Sequence, residues 1–389
     1  MEGRVIPEPQ RTYFLELLDA LGPAADDFVV AGAQAMKFVV EKARATKDVD
    51  FLLNVLALRK ESVQLAPIFE KLGYMPLPES RNFQFAKAIP GSAEKMRIEF
   101  MAPEEYKREK DFRVDIQDGV RARACTGGSI ALAQCHLHTI SGKLPTGVPC
   151  IVQVRVTQPH ALVMLKLLAL ADRYNNIRGP KEARHDREEA QTHAADIVAI
   201  VTALPDVGRF SNKFLTQFLT GPQLGIRVLR ILADFFRHAA SPGLIVHTEY
   251  LAANLPAERA TAEALRRETE TAQRIVAQIL PAPEFLALAA SVEESTEIER
   301  GAPFVEEYLL TLESARIPIA DPLALTSLPG GAFSGAYKPG AKFVMSASEP
   351  LQKVSDAQRN LLHAYLQRKL QVLQNNEALV AKFPHTLKP

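Results

Sequence analysis

Cysteine, net charge and long apolar runs are all scarce in this chain of 389 residues. Its three cysteines, Cys125, Cys135 and Cys150, form no CxxC pair. An odd number of cysteines without a regular framework favours a reducing cytoplasm over secretion. The net charge of +1 predicts neither a polyanion-binding protein nor an acidic tail, so contact with nucleic acid would need a local basic patch.

The sequence also shows no pattern typical of a segment that directs a chain to a membrane. No run approaches the roughly 20 apolar residues that cross a bilayer. Residues 1–14 carry prolines and charges where a secretory signal would have an apolar run. We therefore expect a cytoplasmic protein without a membrane segment. The composition, 47% hydrophobic and 23% charged, is typical of a folded globular protein, and the length suits two domains.

Hydrophobic periodicity divides the chain into a mixed first part and a helical second part. Strand patterns dominate residues 1–157, which we expect to form a small mixed sheet with a short N-terminal helix. Residues 158–205 have helical spacing and are predicted to complete the active site, and 206–389 are predicted to form a helical C-terminal domain. A Pro/Gly-rich segment at 317–350 predicts a long loop or docking segment. The predicted fold class is α+β.

Several individual elements follow from the same patterns. A strand is predicted at Phe28–Ala31, ending at Gly32, and helical spacing follows from Ala35 to Val40. Further predicted elements are a helix over 11–21, a strand over 45–53, a helix over 56–74, two strands over 82–102 joined by a Pro-Gly turn, a strand over 148–156, helices over 158–174 and 192–204, and a helix over 356–376.

Two aspartates carry the most informative chemistry in the chain. Asp48 and Asp50 are two residues apart on a predicted strand, so both carboxylates point from the same face. Val49 and Phe51 then point to the opposite, buried face. Like charges side by side repel each other, and nearby cations relieve that cost; a pair of divalent metal ions is the usual reason for such spacing in an enzyme. Glu99 is the expected third carboxylate, from a neighbouring strand.

Gly32 lies where the first predicted strand turns into a helix. The backbone amides around Ala33 and Gln34 would face an anion at that turn. A glycine also lets a phosphate approach the backbone closely. The sequence therefore predicts a phosphate-binding turn upstream of the aspartate pair.

These two features together resemble a known signature. Gly32-Ala33-Gln34-Ala35, followed by Arg44-Ala45-Thr46-Lys47-Asp48-Val49-Asp50, is similar to the pattern of the DNA polymerase beta-type nucleotidyltransferase superfamily. Within it, the chain most resembles the minimal and AbiE toxin-like nucleotidyltransferases. The resemblance covers roughly residues 11–205. Ala33 departs from the pattern, because many members have Ser or a second Gly there, and so a side-chain contact to phosphate is lost.

Two later segments extend the resemblance. Lys166, Ala169 and Arg173 match a helix with Lys-x-x-Ala and a downstream Arg, and Asp196 matches an Asp on a further helix. The interval between Lys166 and Asp196 is padded by a charged stretch, which is a second departure from the pattern.

The resemblance implies transfer of a nucleoside monophosphate from a nucleoside triphosphate to an acceptor hydroxyl. It implies that Asp48, Asp50 and Glu99 bind Mg²⁺ or Mn²⁺, with Glu99 also available as a base. Lys166 would act as a point charge on the phosphates, and Asp196 would orient it or Arg173. The residues implied in nucleotide binding are Gly32, Ala33, Arg44, Thr46 and Arg173.

The acceptor and the partners stay open from the sequence. A toxin-like enzyme would modify RNA 3′ ends or a protein hydroxyl, and would have an antitoxin-like partner. A small-molecule acceptor such as an antibiotic is the second alternative, and the near-neutral net charge mildly favours a small molecule or a protein. An inactive homologue that binds a nucleotide or a partner is the third. An RNA acceptor predicts a basic groove beside the carboxylates, and a small molecule predicts an enclosed pocket.

Each candidate also has an ordinary structural interpretation. An Asp-x-Asp string is common by chance, Glu99 would suit a solvated strand position, and Lys166 would suit a helix edge with its ammonium in water. Asp196 would suit the surface, paired with a neighbour. His136 and His138 share a strand face, but structural zinc usually needs four ligands, so no zinc site is predicted.

Overall fold

The computed structural model describes most of the chain up to residue 283. It covers residues 6–283 without 42, 45, 47, 61–62, 107–111, 209, 212–213 and 215–223, together with 286, 325–327 and 333–335. The predicted helix over 356–376 lies outside the described residues, as does most of the predicted loop at 317–350.

The described residues form ten α-helices and eleven strands. The helices are α1 Gln10–Leu21, α2 Gly32–Met36, α3 Val55–Lys60, α4 Leu65–Lys71, α5 Gly128–Ala133, α6 Pro159–Asn175, α7 Ala183–Thr202, α8 Gly225–Phe236, α9 Pro242–Asn254 and α10 Ala262–Ala277. The strands are β1 Phe28–Ala31, β2 Asp48–Leu53, β3 Met75–Pro76, β4 Gln84–Ala88, β5 Lys95–Pro103, β6 Arg113–Gln117, β7 Val120–Cys125, β8 Cys135–Lys143, β9 Pro149–Thr157, β10 Leu325–Ser327 and β11 Phe333–Gly335.

The chain divides into two compact units. The first comprises residues 1–210 and 238–277, and it contains the nine-stranded sheet, α1 to α7, α9 and α10. The second comprises 211–237 and 278–389, and its described elements are α8 and the antiparallel pair of β10 and β11. The two helices α9 and α10 therefore belong to the first unit, although the sequence boundary at 205 grouped them with the C-terminal region.

The sheet of the first unit is mixed. Its main order is β3-β4-β5-β2-β1-β9-β8, and β7 joins β5 while β6 pairs with β7. β2 lies in the middle, antiparallel to β1 and parallel to β5. Its aspartates therefore face residues of both neighbouring strands.

One face of this sheet carries an aromatic core. Val49 and Phe51 of β2 are buried on this face, as their alternation with the aspartates predicts. Phe14 of α1 stacks on Phe51, and Phe69 of α4 stacks on Phe100, with ring centroids 5.8 and 5.3 Å apart. The helices α1 and α4 thus cover this side of the sheet and fix the outward direction of the opposite residues.

The opposite face is covered in part by helices. Ala131 of α5 and Ala161 of α6 pack with Val29, Ala31 and other buried apolar residues of the sheet in a second small core. Helix α6 also packs on α7, which contacts α9 and α10. The aspartate face of the sheet is therefore bordered by the helices that follow residue 157.

The predicted α+β fold class is confirmed, with differences in detail. Helix α2 ends at Met36 and turns follow, so the helical spacing up to Val40 predicted too long a helix. The helix predicted over 56–74 is two short helices, α3 and α4. Helix α7 begins at Ala183, so much of the charged stretch is helical. In the described ranges, no helix is long and apolar enough to cross a membrane.

Phe100 is the residue whose loss should cost this core most. It is fully buried and contacts the rings of Phe28, Phe51, Phe69 and Phe85. We expect Phe100→Ala to lower the free energy of unfolding by about 3–5 kcal/mol, because a cavity is left behind.

Urea unfolding measures this loss, and Phe112, which is 57% exposed, supplies the matched control. Phe112→Ala should change the free energy of unfolding by less than about 1 kcal/mol. Equal losses in the two variants would contradict the assignment of this core.

Candidate active site

The three predicted carboxylates lie on one face of two adjacent parallel strands. In the register of β2 and β5, Asp48 is opposite Arg97 and Asp50 is opposite Glu99. Residues paired in this way share a face of the sheet, so all four side chains project to the same side. The three carboxylates that the sequence predicts thus lie on one face of neighbouring strands.

Gly32 is required by the position of Asp50. Its φ of +59° is in the left-handed region. A Cβ atom at this position would lie 1.8 Å from Oδ2 of Asp50. No side chain is compatible with that distance, so the turn after β1 closes directly on the carboxylate. Helix α2, which starts here, has five residues, with the predicted nucleotide contact Ala33 buried in its first turn.

Burial and like charge make this cluster electrostatically costly. Burial, followed by the charge of Glu99, raises the pKa of Asp50 to about 7. Burial also raises the pKa of Asp48, against the opposing charge of Arg97. One oxygen of Asp48, Oδ1, is buried and has no hydrogen-bond partner among the described residues. The aspartate pair is therefore incompletely compensated by the side chains around it.

Glu99 differs from the two aspartates because both of its oxygens have partners. Arg123 of β7 donates to Oε1 at 2.8 Å, and Gln84 of β4 donates to Oε2 at 2.6 Å. These bonds fix the carboxylate at the sheet surface beside Asp50. The assignment of Glu99 as a metal ligand stays a prediction, since a ligand role would require it to share or exchange these donors.

A buried ion pair joins the two helices that follow the sheet. Lys166 of α6 donates to Oδ2 of Asp196 of α7 at 2.7 Å, and both side chains are at least 93% buried. Arg44 donates to Oδ1 of the same carboxylate at 3.0 Å. Asp196 therefore holds Lys166 and Arg44 together, and the charge of Lys166 acts on Asp50 to lower its pKa.

Two other predicted residues have structural partners of their own. The hydroxyl of Thr46 donates to the backbone carbonyl of Asp48 at 3.1 Å and accepts from its amide at 3.3 Å, so it braces the start of β2. Arg173 donates to the buried Asp186 at 3.2 Å, and Arg178 donates to the same carboxylate. Asp186, and not Asp196, therefore holds Arg173. Asp196 binds Lys166 and Arg44.

Sequence reasoning missed the residues that position the carboxylates. Arg97, Arg123 and Gln84 were not singled out, although the alternating string Val120 to Cys125 places arginines on one strand face. Lys37 was also missed; its Nζ is buried without a hydrogen-bond partner in the described part of the chain. Burial, followed by the charge of Arg44, lowers the pKa of Lys37.

The donor set fits a divalent cation at the aspartate pair. A cation would supply the missing partner of Asp48 Oδ1 and would favour the ionised form of Asp50. Within the described ranges, no three His, Cys, Asp or Glu side chains converge closely enough to hold a metal ion. The fit therefore rests on Asp48 and Asp50, with Glu99 adjacent to them.

Comparison with known proteins adds no identification. No protein-family model matches the chain, and neither the curated proteins nor the solved structures include a significant match. The resemblance to nucleotidyltransferases therefore stays a prediction from the motif.

The raised pKa of Asp50 predicts a pH-dependent stability. Between its ordinary value of 3.8 and about 7, this group keeps its proton in the folded chain and loses it in the unfolded chain. Stability contributed by this group therefore falls as the pH rises through that window. The free energy of unfolding of Asp50→Asn, minus that of the native chain, should rise from about pH 4 to about pH 7.

Urea unfolding at several pH values, with a chelator present, gives this difference. Asp19→Asn, on the exposed side of α1, is the matched control and should show no such rise. A difference that stays constant across the window for Asp50→Asn would contradict the burial of an uncompensated Asp50.

The buried pair of Lys166 and Asp196 predicts strong coupling. Asp196→Leu alone should cost about 3–5 kcal/mol of unfolding free energy, because it leaves a buried ammonium unpaired. Adding Lys166→Met should recover much of that loss, because the double variant no longer buries an unpaired ammonium, although Arg44, which is 33% exposed, still lacks its carboxylate. A double-mutant cycle from urea unfolding measures the coupling, and additive losses would contradict the ion pair.

Proposed function

We propose that this chain is a metal-dependent nucleotidyltransferase that transfers a nucleoside monophosphate from a triphosphate to an acceptor hydroxyl. The observation that carries the proposal is the placement of Asp48, Asp50 and Glu99 on one face of β2 and β5. The close contact of Gly32 with Asp50 supports it, because a turn that only glycine can occupy lies directly at the carboxylates.

The aspartates are the residues that would hold the metal. Asp48 contributes its unpartnered Oδ1, and Asp50 a carboxylate that burial disfavours as an anion. When bound, Mg²⁺ or Mn²⁺ supplies charge stabilisation at the transferred phosphoryl group and at the leaving pyrophosphate. Asp48 and Asp50 would hold that ion on the face of β2 on which the turn at Gly32 closes.

Cationic side chains complete the triphosphate site. Lys166 contacts the phosphates as a point charge, and Arg44 contacts them through its guanidinium. Asp196 is a positioning residue, since it fixes both cations through its two oxygens. The positive charges of Lys166 and Arg44 are only partly neutralised, because both side chains share the carboxylate of Asp196.

Glu99 is the base for the acceptor hydroxyl. The acceptor oxygen forms a bond to the α-phosphorus, the bond from that phosphorus to the bridging oxygen breaks, and pyrophosphate leaves. The hydroxyl proton passes to a carboxylate oxygen of Glu99, which Arg123 and Gln84 hold in place. Arg123 and Gln84 are positioning residues in this scheme.

An inactive nucleotide-binding homologue is the alternative that one observation favours. Both oxygens of Glu99 already accept hydrogen bonds, so this residue is satisfied without a metal or a substrate. Such a protein would bind a nucleoside triphosphate at the aspartates and release it unchanged. Formation of a nucleotidylated product distinguishes the active enzyme from this inactive homologue.

Removal of Asp48 tests the proposal. The purified chain is incubated with each α-labelled nucleoside triphosphate, Mg²⁺ and a total cellular extract of RNA and protein. We expect label in a macromolecular or small-molecule product, and a loss of at least about 100-fold in Asp48→Ala, because a charge contact in the transition state is removed.

Asp19→Ala is the matched control, since it removes an exposed aspartate of α1. It should retain the native rate. Triphosphate binding without any product, lost in Asp48→Ala, would favour the inactive homologue. Neither binding nor product would contradict the proposed function.

A further inference from the structure

An open, polar cleft of about 870 Å³ lies at the β6 and β7 side of the sheet. Its lining includes Arg59, Arg81, Arg121, Tyr106 and Asn82. Two acidic residues, Asp115 and Asp118, also line it. None of these residues belongs to the carboxylate site described above, so the cleft has no role in the proposed chemistry as it stands.

The cleft has more cationic than anionic groups that are open to a ligand. Arg121 forms an ion pair with Asp115 at 2.9 Å, so these two charges largely cancel. Arg59 is exposed and donates to the backbone carbonyl of Asp115. Because a carbonyl carries no net charge, this contact does not neutralise the guanidinium of Arg59. Arg81 is exposed, and no ion pair to it is formed within the described ranges. Among the described lining residues, Arg59 and Arg81 therefore remain available, against the single carboxylate of Asp118.

Two arginines of β7 lie between this cleft and the carboxylates. Glu99 binds Arg123, and Arg121 lies two residues earlier on the same strand and the same face. About two-fifths of each of these arginine side chains is exposed. The backbone amide of Arg121 donates to the carbonyl of Asn82 at 2.8 Å, and Arg81 precedes Asn82 in the chain. We call the arginines of this region, two on β7 and two in the cleft lining, the arginine track: Arg123, Arg121, Arg81 and Arg59.

We propose that this arginine track binds the sugar–phosphate backbone of a single-stranded nucleic acid whose terminal hydroxyl is the acceptor. The inference rests on the proposed function and names its acceptor class. Guanidinium groups suit phosphates because their fork of donors matches the phosphate oxygens. Tyr106 gives the cleft an aromatic surface on which a base stacks, as in other single-strand grooves. An open cleft with cations in a row suits a strand better than an enclosed small molecule.

Binding without catalysis tests this inference. A fluorescein-labelled single-stranded RNA oligonucleotide is titrated with the full chain in a chelator, without nucleotide, at several salt concentrations. Each phosphate contact contributes about 0.7 to the slope of log K against log salt for single strands. We expect the double variant R59A/R81A to bind more weakly and to lower the absolute slope by about 1.4.

Controls separate this inference from the proposed function. Arg266→Ala, on exposed α10, removes an arginine of similar exposure outside the track and should leave both affinity and slope unchanged. Asp48→Ala should bind the RNA at least as tightly as the native chain while losing transfer. If the native chain transfers a nucleotide to no acceptor, the proposed function is overturned, but the RNA-binding result still stands.

Two results would overturn the inference itself. Equal affinity and slope in the native chain and in R59A/R81A would show that the cleft does not bind the strand. Equally tight binding of a polyglutamate peptide, lost in the same variant, would show a site for acidic protein segments instead. Native-like unfolding of R59A/R81A in urea confirms that the comparison is between folded proteins.

Discussion

Repulsion among three carboxylates is the constraint on which the arrangement of the first unit depends. Asp48 and Asp50 share a face of β2, and Glu99 stands opposite Asp50 on β5. Burial makes this arrangement more costly, and the pKa of Asp50 rises to about 7 as a result. Arg123 and Gln84 donate hydrogen bonds to both oxygens of Glu99, whereas Oδ1 of Asp48 has no partner among the described residues. A divalent cation would fit this position, because it would partner that oxygen and offset the repulsion.

The remaining elements serve this cluster from both sides of the sheet. Phe51 anchors the buried face of β2, so the aspartates beside it can point only outward. The turn at Gly32 closes on Asp50 where no side chain could fit. Asp196 then ties α6 and α7 to the site through Lys166. A sheet, a turn and a helix pair, far apart in sequence, thus bring carboxylates, a glycine turn and cations to one region.

Local pattern was enough to predict β1, β2, the hairpin of β4 and β5, and the shared face of the carboxylates, because strand alternation is a local property. It could not predict which strands lie side by side, and so Arg123 and Gln84 were missed as partners of Glu99. Helix lengths also failed at α2, where apolar spacing continued past Met36 into turns. The partner of Arg173 depends on Asp186, thirteen residues away across a loop, which spacing alone does not reveal.

Cation binding at Asp48 and Asp50 can be measured directly with Mn²⁺. Electron paramagnetic resonance distinguishes free from protein-bound Mn²⁺ when the native chain, without nucleotide, is titrated with the ion. We expect the native chain to bind Mn²⁺ that Mg²⁺ displaces, and we expect this binding to disappear in D48N and in D50N. Unchanged Mn²⁺ binding in both variants, or no binding in the native chain, would contradict this expectation.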